Sequence, residues 1–154
     1  MVHCRSIIAF GPGHSFLGYP PGRKTIPHFT FEYSANIEQQ VDLKGLTRLI
    51  LQTALDTGFF EIGAVRVRGI RCDVYTVADD LPENAFIDLS LRLGQGRSQT
   101  DKKAIGDAIF AALQEYLAES LAQPHFALSF EIREIEASLS WKQNAIHPRL
   151  RPRL

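Results

Sequence analysis

The chain has 154 residues, enough for one domain with a sizeable core and too few for two ordinary ones. Its 17 basic and 17 acidic residues cancel, which removes any global field that would recruit nucleic acid or an anionic membrane. Two cysteines, Cys4 and Cys72, are too few for a disulfide framework and point to a reducing compartment.

No apolar run approaches the ~20 residues of a membrane span. The run Ile7–Phe10 is too short for a secretory signal and is interrupted by Gly11-Pro12-Gly13. A cytoplasmic protein with neither nucleic acid nor membrane as partner is expected. Residues 1–26 are rich in glycine and proline, which leaves no room for a useful helix or strand. They read as a flexible extension, or as residues placed before the true start by a start codon assigned too early. One domain, 27–154, follows.

From Phe29 to Ser34 aromatic and polar residues alternate, the pattern of a strand with one buried face. Leu46, Leu49, Ile50 and Ala54 then recur at helical spacing, with Asp42 as N-cap and Gly58 just past the end. Ala64–Arg71 alternates and continues into Val74-Tyr75-Thr76-Val77. Both halves read as strand, with Gly69 a candidate bend. After the polar turn 79–84 the cycle repeats. Ala85–Leu93 is a strand, and Ser98-Gln99-Thr100-Asp101 opens a helix with a capping-box-like start. Ile105, Ile109, Ala112, Leu113, Tyr116 and Leu117 are its buried stripe. Phe126–Arg133 is a fourth strand, and the tail from Trp141 is expected to fray.

Strand, helix, strand, twice over, gives an α+β fold. Two consecutive βαβ units form a four-stranded sheet with two helices on one face. Any apolar part of the other face would need covering by a second subunit, so self-association is expected.

The five histidines are scattered without metal-ligand spacing, and Gly94-Gln95-Gly96 alone is a weak phosphate motif. No Cys–His nucleophile pair is evident, and Cys72 reads as an ordinary strand or turn residue. Three features carry possible chemistry. Pro27 precedes the first strand, where a missing N–H costs nothing; were it the first residue, its ring nitrogen would be a free secondary amine. Arg66 and Arg68 share one face of their strand, either as a solvated face or as guanidinium forks for carboxylates. Arg97 lies between a glycine-rich turn and a helix N-cap, where anions are favoured, though such a loop can also serve only to cap the helix. Neighbouring cations and burial would lower an amine near pKa ~8 towards the value of a neutral-pH acid–base catalyst.

From Pro27 onward the chain resembles the 5-carboxymethyl-2-hydroxymuconate isomerases of the tautomerase superfamily. The resemblance rests on Pro27-His28-Phe29, Gly63–Arg68, Gly94-Gln95-Gly96-Arg97-Ser98, Leu128–Ile132 and Lys142-Gln143-Asn144, in that order. It implies a tautomerase-like isomerase domain assembled as a homotrimer, needing no cofactor or metal. The implied reaction turns a dienol polyacid into a conjugated 2-oxo-enoate in homoprotocatechuate catabolism. Pro27 would be the base, with Arg66 and Arg97 holding carboxylates; whether Arg68 and Arg71 join them is open. In that family the proline is the first residue of the mature chain, whereas here Ile26 precedes it, and an amide nitrogen is not a base. The alternatives are a non-catalytic oligomeric polycarboxylate-binding protein with a blocked proline, and a ferredoxin-like RNA-binding module, which the neutral charge and missing RNA-binding motif disfavour.

Overall fold

The first strand, β1 (His28–Ser34), is an inner strand because its alternation lets Phe29, Phe31 and Tyr33 leave water together. The structure is a computed structural model and describes residues 26–150. The extension read for residues 1–26 therefore lies, apart from Ile26, outside the described residues. β1 pairs in parallel with β2 (Arg66–Cys72) and antiparallel with β3 (Ala85–Gly94), and β3 pairs in parallel with β4 (Phe126–Ile135). The strand order is β2-β1-β3-β4. The two helices α1 (Leu43–Asp56) and α2 (Gln99–Tyr116) make the crossovers, as the repeated βαβ pattern requires.

Both helices start where their side chains can hold the first free N–H groups. Asp42 accepts from the Gly45 N–H at 2.8 Å. Ser98 and Asp101 form a reciprocal capping box, with the Asp101 N–H donating to Ser98 Oγ at 3.0 Å and the Ser98 N–H to Asp101 Oδ2 at 3.3 Å. α1 is followed by Gly58 at φ +74°, the left-handed conformation that glycine adopts without penalty. Leu46, Ile50 and Ala54 of α1 and Ile105, Ile109 and Leu113 of α2 pack on Phe29, Phe31, Ile87, Leu89, Leu91 and Leu93 of the sheet. Each large side chain fully buried there contributes about 1.5–3 kcal/mol. Tyr116 leaves the expected stripe: it is partly exposed, and its hydroxyl donates to the Asp42 carbonyl at 2.9 Å, joining the two helices. The short helix α3 (Ala118–Leu121) follows α2 and ends before Pro124.

Three expectations change. Val74–Val77 is not a strand: β1 ends at Ser34 opposite Cys72, so the chain beyond has no ladder to join. Instead Asn84 donates to the Val77 carbonyl at 3.0 Å and to Asp79 Oδ1 at 2.7 Å, Ala78 and Asp80 take positive φ, and Val74 is 96% exposed. Gly69 makes no bend, since the register runs unbroken from Arg66 to Cys72. A Cβ there would stand 2.6 Å from Phe31 Cε2, so the glycine lets a core ring lie across the edge strand. The tail from Trp141 includes a helix, α4 (Ile146–Leu150), tied to the body where His147 meets Glu61 and Gly63, and residues 151–154 lie outside the described residues. Among the described residues no helix is long and apolar enough to cross a membrane.

The face of the sheet away from the helices is mostly polar. Across β2-β1-β3-β4 its rows read Arg66-His28-Arg92-Arg133, Arg68-Thr30-Ser90-Glu131 and Ile70-Glu32-Asp88-Ser129; beyond them Cys72 pairs with Ser34 and Phe86 with Ala127, and the Phe86 N–H donates to Ser34 Oγ at 3.0 Å. The area expected to need a covering subunit is therefore small on this face. Phe86 already has Tyr75 against it, edge to face at 6.0 Å.

Candidate active site

Pro27, Arg66 and the turn carrying Arg97 meet at one end of the sheet for topological reasons. Parallel pairing sets the start of β2 beside the start of β1, and antiparallel pairing sets the end of β3 beside both. The Pro27 carbonyl accepts the Arg66 N–H at 3.1 Å, one more rung on the β1–β2 ladder. Val65 and Val67 pack towards the core, which turns Arg66 and Arg68 onto the open face. The valine–arginine alternation thus sorts as its period dictates, with Arg66 half-buried and Arg68 exposed.

Arg97 reaches the same end from the helix side. Its guanidinium lies 5.1 Å from the centroid of the Phe60 ring, and Nη2 donates to the Phe59 carbonyl at 3.2 Å. Phe60 in turn meets Phe29 edge to face at 6.2 Å. The charge is thus fixed beside the amino end of α2, on a ring that belongs to the core. A guanidinium carries its five N–H donors in a planar fork that matches a carboxylate. Arg66 and Arg97 therefore flank the Pro27 end of the sheet from its two faces. Arg71 sits far along β2, paired with Glu38 at 3.1 Å and Asp73 at 2.9 Å, and has no part in this cluster.

The tail supplies what the spacing of residues did not reveal. Asn144 donates to the Gly63 carbonyl at 2.9 Å, and its Oδ1 accepts the N–H groups of Ile146 and His147 at 3.0 and 3.3 Å. His147 Nε2 is 2.8 Å from Glu61 Oε2. A Cβ on Gly63 would lie 2.8 Å from His147 Cα, so only glycine lets the tail cross here. Three residues before Arg66, the backbone is thus held by side chains from the far end of the chain. The Lys142-Gln143-Asn144 block was the available signal, but nothing in it names a partner 81 residues away. Cys72 ends β2 as a half-buried free thiol at the other end of the strand.

His28, on the open face between Arg66 and Arg92, has its pKa lowered from 6.5, first by burial and then by Arg66, Arg68, Arg92 and Lys142. As pH falls below about 6.5 the unfolded chain takes up a proton that the folded chain resists. The stability this site contributes at neutral pH is therefore lost on acidification through the folded midpoint. His28→Asn is expected to flatten stability against pH between about pH 7 and 5 in urea melts; an unchanged slope would remove His28 as its source.

A family model described as 5-carboxymethyl-2-hydroxymuconate isomerase matches residues 27–150. The chain is 34% identical over 122 residues to the 5-carboxymethyl-2-hydroxymuconate Delta-isomerase of Escherichia coli, a span of 79% of this chain and 97% of that protein. Its fold is similar to the crystal structure of a 5-carboxymethyl-2-hydroxymuconate isomerase from Deinococcus radiodurans R1, with TM-score 0.78 and 37% identity, covering 84% of this chain and 97% of the other. A crystal structure of a 5-carboxymethyl-2-hydroxymuconate delta-isomerase matches with TM-score 0.76 and 25% identity over 85% and 97% of the two chains.

Proposed function

The chain belongs to the 5-carboxymethyl-2-hydroxymuconate isomerase family, and from that premise we propose that it isomerises 5-carboxymethyl-2-hydroxymuconate, in homoprotocatechuate catabolism, through the domain that starts at Pro27. The observation that carries this reading is the family match over residues 27–150 together with the position of Pro27 between Arg66 and the Arg97 turn. With its nitrogen free, Pro27 takes the enolic hydroxyl proton of the substrate. Electrons shift through the conjugated system to make the 2-oxo group, and a proton is delivered to carbon. No net redox partner is required, since one proton leaves oxygen and one arrives at carbon. Arg66 and Arg97 hold carboxylates and stabilise the charge that spreads onto oxygen in the dienolate. Their positive charge, with the amino end of α2, also favours the neutral amine over the ammonium.

This role needs Pro27 to be released from Ile26. While that bond stands, the nitrogen lone pair is delocalised into the amide and cannot accept a proton. Ile26 itself is buried, at 8% exposure, so its removal also opens space at the foot of β1.

The direct test follows the dienol absorbance with chain that begins at Pro27. Turnover is expected, and Arg97→Gln should lower kcat/KM by about 10- to 100-fold, the loss of one charge-assisted hydrogen bond of roughly 1.5–3 kcal/mol. Saturable binding without turnover would overturn the enzymatic reading in favour of a polycarboxylate-binding protein.

Assembly as a homotrimer belongs to the same proposal. β2 and β4 are edge strands, and beside β4 a groove of about 690 Å³ leaves Phe110, Leu128, Phe130 and Ile132 only partly covered. Sedimentation equilibrium should give three times the chain mass; a single-chain mass at micromolar concentration would rule the trimer out.

A further inference from the structure

The first row of the open sheet face breaks a local rule of sheet stability. Arg66, His28, Arg92 and Arg133 stand directly across from one another on four adjacent strands, where neighbouring strands are only ~4.8 Å apart and like charges oppose folding. Arg68 lies in the next row, and Lys142 reaches from the tail close enough to act on His28. Arg133 is neutralised by Glu131. Among the described residues Arg66, Arg68 and Arg92 form no ion pair with a carboxylate. Of the acidic groups on this face, Glu131 is taken by Arg133, and Glu32 and Asp88 lie two rows from His28 and one row from Arg68. Arginines gathered around His28 without a carboxylate partner favour an anion on this surface.

We propose that the open face of the sheet binds a multiply charged oxyanion between Arg68 and Arg92, over His28, with Arg66 and Lys142 at its border. The guanidinium groups supply paired donors for a planar carboxylate or a phosphate face. The hydroxyls of Thr30 and Ser90 lie in the row between Arg68 and Glu131 and line its floor. The site takes phosphate or a polycarboxylate through the same chemistry. It borders the proposed substrate site at Arg66 but lies on the face away from Arg97, and Arg68 and Arg92, which define it, have no part in the isomerase reading; it does not depend on whether Pro27 is freed.

The test uses the full chain and follows the His28 ring by NMR while inorganic phosphate is added, with ionic strength held constant by chloride. Binding should raise the His28 titration midpoint by about one pH unit, as an opposite charge close to the ring does, and the effect should saturate. Arg92→Gln and, separately, Arg68→Gln should each weaken the half-saturation concentration about 10-fold or more. Lys44→Gln, on the outside of α1, should leave it unchanged. A parallel titration with tricarballylate, a small aliphatic tricarboxylate, assigns the ligand: tighter binding than phosphate identifies a polycarboxylate site, and weaker binding a phosphate site. A response no larger than that to chloride alone, or one that survives both arginine substitutions, overturns the proposal.

Discussion

A chain whose first residue is Pro27 is expected to isomerise 5-carboxymethyl-2-hydroxymuconate about 10²–10⁴ times faster than the same chain with Ile26 still attached, the range that a positioned general base supplies. The two proteins differ by Ile26 and the peptide bond that joins it to Pro27. In the longer one the ring nitrogen belongs to a planar amide; in the shorter it is a secondary amine with a lone pair. Both retain β1, because its ladder begins at His28 and the one rung before it uses the Pro27 carbonyl, not its nitrogen. Arg66 and Arg97 keep their places in both. A rate difference would report the freed nitrogen or the space that Ile26 vacates, which the pH profile separates, and matching melting temperatures would show that the fold is not what changed. Equal rates would mean that another group moves the proton. The pH profile of the shorter chain gives a second reading: activity should fall on the acid side as the amine is protonated, and the longer chain should lack that limb.

Leu89→Ala should produce the largest loss of stability, about 2–5 kcal/mol, or roughly 2–4 °C in melting temperature for each kcal/mol. Leu89 is fully buried in β3, an inner strand, with Phe31 and Phe130 directly across on its two neighbours. All three side chains face the layer of α1 and α2, so the vacated volume lies between sheet and helices. Substitutions that leave no such hole set the comparison. Val74→Ala, at a side chain 96% exposed, should stay within about 0.5 kcal/mol. Urea titration of both variants decides the matter; equal midpoints would mean that the sheet–helix layer is not where stability resides.

The difference between those two residues also marks how far the sequence could be read. Alternation at Phe29–Tyr33 and Ile87–Leu93, and the three-and-four spacing of Leu46–Ile50–Ala54, come from burial against a single layer, and burial leaves a period in the sequence. Ser98 and Asp101 announce the start of α2 because capping is settled within four residues. Val74–Val77 shows the limit. Its composition is that of a strand, but a strand also needs a free edge beside it, and β1 has already ended. The candidate site divides in the same way. Pro27, Arg66 and Arg97 stand in recognisable local patterns. The side-chain contact between Asn144 and Gly63, the His147–Glu61 pair and the approach of Lys142 to His28 have no local pattern, because each joins segments far apart in the chain.

The link between Asn144 and Gly63 also orders events in time. During synthesis the four strands and both crossover helices have been made by residue 135, so the whole sheet can form while the tail is still being added. The Gly63 carbonyl must then wait a further nine residues for the amide that holds it. Closing a loop of 81 residues costs more entropy than the strand pairing beside Arg66, and the side chain that closes it arrives after the whole sheet has been made. The turn that presents Arg66 thus acquires Asn144 and then His147 only after the sheet is made, and a ribosome that stops short of residue 144 leaves a full sheet with an unfinished site.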